Sequence, residues 1–436
     1  MRTFLIATFI SWFLIVGLIA YDNAGTTRDR GNAAMSGRVE VVFWHAMGGP
    51  LGKVMEELID RFNNGQKKYF VKSISMGSYD TLAKKILASL VAKSGPDIAQ
   101  NYETLTKKFI HHKKIVCLDA LIASEPEDIK KDIVPVLLAN NTFDGKIWSF
   151  PFNKSVPVLY YNKEMFRKAG IDPERPPRTM EEMASYARTL TVRDEKGQVK
   201  IYGYSTNKAN VWMFLCRFIQ FGGRLVDETG SDTSHFHEAA GVKALAYIQD
   251  LVKEGVANEA QGFDHQNDFK AQRVAMIDNS IVSKVHMEAG SGIRFDYGVA
   301  PLPSGATDAV ILSGSNINIF DNGDPEKIKG AWEFIKFFTS TDIGAEWSAR
   351  TTYMPVRISS LHSPILKSAM DKDANLRAPY VQMDYCRYEP RLACWFEIRD
   401  LMADHLERAT LEMGPPSKYL EQMSREIDGI LRHAAD

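Results

Sequence analysis

Cysteine is scarce in this chain: 436 residues carry four, Cys117, Cys216, Cys386 and Cys394. They form no CxxC pair and no metal-ligand spacing, which excludes a zinc module and a disulfide-stapled scaffold. Cys386 and Cys394 are near enough in sequence to be bridged, but isolated buried thiols are the reading taken. An excess of either charge is missing too, since 53 Lys and Arg stand against 54 Asp and Glu for a formal net charge of −1. With no global field, nucleic acid and acidic membrane surfaces are not expected partners, and any anionic partner has to be held by local charges. No GxSxG elbow, P-loop, HExxH or post-strand GxGxxG occurs, and "GSGIR" at Gly290–Arg294 lacks the spacing and the lysine-serine pair of a phosphate loop.

What is present is bulk: 45% hydrophobic residues over this length can bury large cores and exceed one ordinary domain, so two lobes are expected. Arg2 precedes an apolar run, Phe4–Ala20, after which the chain turns polar at once. That pattern reads as an export signal. Leu18 and Ala20 fit the small-x-small cleavage pattern only in part, and the run touches the lower limit for a membrane span, so an uncleaved anchor is the alternative. No cysteine follows it, so a lipidated N-terminus is not expected. Tyr21–Gly37 is small and polar without periodicity, as a flexible tether is.

From Arg38 strands and helices alternate. Val39–Met47 predicts a β-branched strand, and Leu51, Val54, Met55, Leu58, Ile59 and Phe62 after it recur at helical spacing. A strand at Tyr69–Ser75, a helix at Tyr79–Ala92 and a short strand in "GPDIAQN" continue a βαβα winding into a mostly parallel sheet. Ligands of such sheets bind at the carboxyl ends of the strands, which places His45–Gly52, Gly77–Tyr79, Tyr102 and Glu103 at one edge. Further on, "NNTFDGKIWSFPF" predicts a hairpin turning at Asp144-Gly145, with Ile147, Ser149 and Phe150 on its second strand. Asn162 is expected to cap a helix ending at Gly170, Thr179 with Glu182 to form a capping box, and Asp324 with Pro325 to open a helix burying Ile328, Ala331, Trp332, Ile335 and Phe338. Asn153–Pro157 then joins one α/β unit to another as a polar hinge facing a cleft. "ILSGSNINIF" should return the chain to the first lobe, and helices near Glu397–Leu411 and Ser417–Leu431 should pack on the second.

The strings "FWHAMGGPLGKVMEELIDRFNN", "PFNKSVPVLYYNKEMFRKAGIDPERPPRTMEEM", "YGVAPLP", "TTYMPV" and "RLACWFEIR" together resemble the extracellular solute-binding proteins of ABC importers, most closely the branch that binds glycerol-3-phosphate and its diesters. The similarity runs in order from Val39 to about His433. It implies an α/β fold of the periplasmic-binding type II, two lobes each with a mostly parallel sheet flanked by helices, joined by hinge crossings that close on a solute. The implied division is residues 1–37 as signal or anchor plus tether, 38–152 with 307–352 as the first lobe, and 153–306 with 353–436 as the second. It implies a periplasmic or extracytoplasmic monomer, possible anchoring at the inner membrane, permease subunits as partners, and neither cofactor nor catalysis.

Carried over motif by motif, the resemblance assigns Tyr79 of "GSYD" and Glu103 of "YET" to the glycerol hydroxyls. It puts Ser155 of "PFNKSVP", Ser280 of "IDNS", Gly314 of "LSGS", Tyr353 of "TTYMP" and Arg391 of "RLACWFEIR" around the phosphate, with Trp212 of "NKANVWMF" beside them. A phosphate in a partly dry cleft needs a forked cation, hydroxyl donors and free backbone N–H groups, whereas polyol hydroxyls need a carboxylate acceptor and an aromatic face. The sequence departs from the branch where Gly48–Pro50 replaces an acidic residue, and where Trp212 stands alone in place of two tryptophans. Lys154 and Lys208, near these changes, are read as solvated surface lysines, with a role toward a phosphodiester as the alternative. His235 and His237 in "SHFHE" and the run Lys107–Ile115 are read as surface. A neutral sugar or oligosaccharide is the rival ligand, and a periplasmic phosphodiesterase using Glu103 and histidines with a metal is the enzyme alternative.

Overall fold

The computed structural model describes residues 37–92, 94–226 and 233–435, and the apolar run Phe4–Ala20 with its tether lies outside them. Val39–His45 alternates half-buried and buried positions, turning Val41, Phe43 and His45 inward. It pairs in parallel with Tyr69–Ser75 on one side and Ile98–Asn101 on the other. Between these strands the helix Gly49–Gly65 buries Leu51, Val54, Met55, Leu58, Ile59 and Phe62, the residues at helical spacing, against the sheet. Each such fully buried side chain contributes roughly 1.5–3 kcal/mol. The five-stranded sheet is completed by Ser313–Ile319, antiparallel to Ile98–Asn101, and by Phe150–Ser155 beyond it.

After Ser155 only Val156 intervenes before the strand Pro157–Asn162, which belongs to a second, six-stranded sheet. Asn153, Lys154 and Ser155, expected in a connecting hinge, are therefore the last residues of a buried edge strand. In the second sheet Pro157–Asn162 lies between Val274–Ser280 and Tyr297–Pro301, and Val199–Asn207 and Ala257–Ala260 follow on the far side of Val274–Ser280. A contiguous core passes through the crossing, with Phe150, Phe152, Val156, Val158 and Tyr160 all in one cluster. Thr352 ends the helix Thr341–Thr351 at a left-handed φ of 62°, and Met354 N–H then donates to the Lys154 carbonyl at 2.7 Å; Ile358–Leu361 and Pro364–Lys372 pack back on Thr341–Thr351, so the chain stays with the first lobe beyond the expected boundary at 353. Trp395–Glu412 and Pro416–Ala435 supply Trp395, Met402, Leu420 and Met423 to a separate cluster with Phe214, Phe218 and Phe236.

Local signals behave as their chemistry requires, with small shifts. The hairpin is Thr142–Phe143 with Lys146–Ile147, and Asp144 and Gly145 both take positive φ, as a primed two-residue turn demands. Its second strand stops at Ile147 rather than reaching Phe150, because Ser149 turns its hydroxyl to Asn141 Oδ1 at 2.5 Å and Phe150 opens the next strand. Asn162 Oδ1 accepts from Met165 N–H, and Asp324 Oδ1 accepts from Glu326 and Lys327 N–H. Thr179 Oγ1 accepts from Glu182 N–H, but the Glu182 carboxylate reaches Arg178 N–H, one residue outside the expected capping box. All four cysteines are free, Cys216 and Cys386 being buried.

Candidate functional site

The carboxyl ends of the parallel strands in the first sheet open onto a cavity of about 640 Å³. Ala46, Met47 and Gly48 follow the first strand, Tyr79 heads the helix after the second, and Tyr102 follows the third. The second lobe faces them with Gln266, Asn267, Lys270, Asn279, Ser280, Ser283 and His286. An arm of about 260 Å³ shares Tyr102, Ser313 and Gly314 with this cavity and adds Glu103, Trp212, Glu389, Phe396 and Arg399. A larger cavity of about 830 Å³ lies away from the strand ends, walled mainly by Val134, Pro135, Ile358, Leu361, Met370 and Tyr380.

Most of the residues assigned from the sequence meet here. Tyr79, Ser155, Ser280, Gly314 and Tyr353 line the main cavity, and Glu103, Trp212 and Gly314 line its arm. Ser155 ends the edge strand of one sheet and Ser280 ends Val274–Ser280 of the other, so their hydroxyls meet across the crossing at 2.5 Å. Ser280 N–H is steered by Asn279 Oδ1 at 2.7 Å, and the Asn279 amide donates to His265 Nε2 at 2.6 Å. Burial lowers the pKa of His265, in keeping with a neutral ring that accepts at Nε2. Tyr79 stacks obliquely on Tyr102 with centroids 5.2 Å apart, and its hydroxyl lies 3.5 Å from Ser315 Oγ. Tyr353 lies flat against Trp347 at 5.8 Å. Burial raises the pKa of Tyr79, Tyr102 and Tyr353, so all three hydroxyls stay protonated donors. Gly314 has φ 103°, and a Cβ there would stand 1.8 Å from the Asn153 carbonyl oxygen, so the strand can approach only as glycine.

Arg391 is placed elsewhere. Its guanidinium donates to the carbonyls of Ala139, at 2.7 Å, and Thr142, and it lies 4.9 Å over the rings of both Phe143 and Tyr388. The arginine that lines the cleft is the last residue of the same motif, Arg399, one helical turn beyond Trp395. Arg399 is paired with Glu389, whose other oxygen accepts from Trp395 Nε1 at 2.7 Å. Burial pulls its pKa down, and Glu389, with Tyr102 and Glu103 adding to it, more than offsets this. The i,i+4 spacing of Trp395 and Arg399 was the signal available in the sequence.

Lys154 is not a surface lysine: it is 1% exposed, donates to Asn140 Oδ1 at 2.9 Å and stands 3.9 Å from Glu103 Oε2. Lys208 is mostly buried and pairs with Glu407 at 3.3 Å. His235 is held by Glu238 and Arg224, and His237 is exposed.

The fold and the site define a class. The family described as bacterial extracellular solute-binding protein matches residues 57–376. The chain belongs to this family, the substrate-binding components of ABC importers. It is 30% identical to the sn-glycerol-3-phosphate-binding periplasmic protein UgpB of Salmonella typhimurium over 90% of this chain and 92% of that one. Among solved structures, UgpB from Mycobacterium tuberculosis in complex with glycerophosphocholine superposes with a TM-score of 0.81 at 25% identity, covering 91% of this chain and 99% of that one. The cyclic alpha-maltosyl-1,6-maltose binding protein from Arthrobacter globiformis shares the fold, with a TM-score of 0.77 at 24% identity over 91% and 100% of the two chains. Among the described residues no helix is long and apolar enough to cross a membrane.

Proposed function

We propose that this protein captures sn-glycerol-3-phosphate or a glycerophosphodiester between its lobes outside the cytoplasm and delivers it, as a monomer, to the permease subunits of an ABC importer. The observation that carries this reading is the company Gly314 keeps: serine and tyrosine hydroxyls on one side, and Glu103 with Arg399 in the adjoining arm. An anion bearing free hydroxyls is the ligand class that uses both an acceptor-only carboxylate and a guanidinium in one cleft. Ser155, Ser280, Tyr353 and the backbone at Gly314 are the proposed phosphate donors, with Arg399 rather than Arg391 as the cation. Tyr79 and Glu103 are the proposed readers of the glycerol hydroxyls. The relatives named for glycerol-3-phosphate support the same choice.

The aromatic arm favours a second reading, because Trp212 and Phe396 are the kind of platform a neutral oligosaccharide stacks on. Calorimetric titration of the full chain with sn-glycerol-3-phosphate, glycerophosphocholine and maltose separates the two. Micromolar or tighter binding of either phosphate with no heat from maltose is the expected result, and the converse pattern replaces the proposal with the sugar reading.

A further inference from the structure

Lys154 is among the largest fully buried side chains of the protein, yet it lines neither part of the cleft. Its backbone is pinned on both sides, by Gly314 in the sheet and by Met354 N–H at its carbonyl. Its ammonium has Asn140 Oδ1 at 2.9 Å and Glu103 Oε2 at 3.9 Å. That carboxylate oxygen is itself buried and has no hydrogen-bond partner among the described residues. Burying an ammonium and a carboxylate without closing a direct hydrogen bond between them is a costly arrangement, and a hydrophobic pair would serve stability as well. We propose that Lys154 is a positioning residue for ligand recognition: it acts through Glu103, fixing that carboxylate as an acceptor for ligand hydroxyls without touching the ligand itself.

The groups around the pair leave this task to Lys154. Glu103 is faced by Lys154 from the edge strand, by Arg399 from the helix Trp395–Glu412 and by the neighbouring Tyr102, while Lys154 is faced by Glu103 alone among the charged groups of the described residues. Arg399 is already engaged by Glu389, and Tyr102 stays protonated. Burial pushes the Lys154 ammonium pKa down, and Glu103 counters part of that push. With the ammonium removed, nothing among the described residues holds Glu103 Oε2 in place.

This inference rests on the reading that Glu103 accepts a ligand hydroxyl, and the test keeps the two apart. The full chain, as wild type, Lys154→Met, Glu103→Gln and the double variant, is titrated calorimetrically with sn-glycerol-3-phosphate and with glycerophosphocholine at about pH 7. Lys154→Met is expected to weaken binding about tenfold, whereas in the Glu103→Gln background it changes affinity by less than about threefold. Equal losses in both backgrounds overturn the proposal. Lys154→Gln replaces the methionine variant where thermal unfolding shows the latter is not folded. A ligand-free readout stands beside these: in protein labelled with 13C-carboxyl glutamate, the resonance absent from Glu103→Gln must move in the Lys154 variant relative to wild type at the same pH. Coincident resonances overturn the role of Lys154 whether or not the wild type binds either probe. Failure of the wild type to bind both probes overturns the ligand reading alone, and the carboxyl resonance then decides the role of Lys154.

Discussion

Two arginines bracket the stretch "RLACWFEIR", and the difference between them lies in what each guanidinium already holds. Arg391 is committed to two backbone carbonyls and two aromatic rings, whereas Arg399 lines the cleft and is paired there with Glu389. Arg399→Ala is therefore expected to cost about 2–5 kcal/mol of affinity for a glycerol phosphate, because a desolvated anion would be left unpaired. Arg391→Ala should shift that affinity by less than about threefold, near the level of a lost peripheral contact. Calorimetry on both variants checks the pair, and a reversed order would return the phosphate to Arg391. At this scale the sequence was half legible. Residue types that suit an anion and a polyol could be picked out by motif, but which arginine of one motif faces the cleft depends on where the helix begins. Lys154 was misread for a similar reason: a lysine beside a serine looks solvated until tertiary packing brings Asn140 and Glu103 to it.

Elements were more legible than residues. The helix Gly49–Gly65 is written in its apolar spacing, and Asn162, Thr179 and Asp324 mark helix starts by a local hydrogen bond that needs no distant partner. Phe150–Ser155 was not legible as a strand to its end, because three successive polar residues look like a loop when their partners come from other parts of the chain. Its neighbour Ser313–Ile319 carries the sharpest prediction for an element. Gly314→Ala must move the Asn153 carbonyl or abandon a φ of 103°, so thermal unfolding should show a loss of about 2 kcal/mol or more, well beyond a surface glycine such as Gly429, which has open space around it. Helices Gly49–Gly65 and Thr341–Thr351 are also joined by Arg61 and Glu346, two-pronged at 2.8 and 3.0 Å. Arg61 holds the Glu346 carboxyl below its ordinary value, so its contribution is present above about pH 4.3 and is lost as pH falls through the lower folded-state value. Glu346→Gln should flatten that acid limb by less than about 1 kcal/mol, since the arginine is half exposed.

For the whole molecule, the two sheets are joined so tightly at Val156 that relative motion of the two has to bend the backbone there. Ligand should bring the lobes together, and small-angle scattering should show a smaller radius of gyration at saturation, while an unchanged curve would mean a rigid cleft. Order of synthesis is constrained by the same topology. The fourth of the five strands in the first sheet is Ser313–Ile319, between Ile98–Asn101 and the edge strand Phe150–Ser155. Until that strand has been made, Ile98–Asn101 presents an open edge and Phe150–Ser155 has no partner in the sheet, so the first half of the chain cannot complete this sheet ahead of the second. A polypeptide bound for export must stay threadable until it has crossed, and a sheet that closes only on its late-made strand builds that delay into the fold.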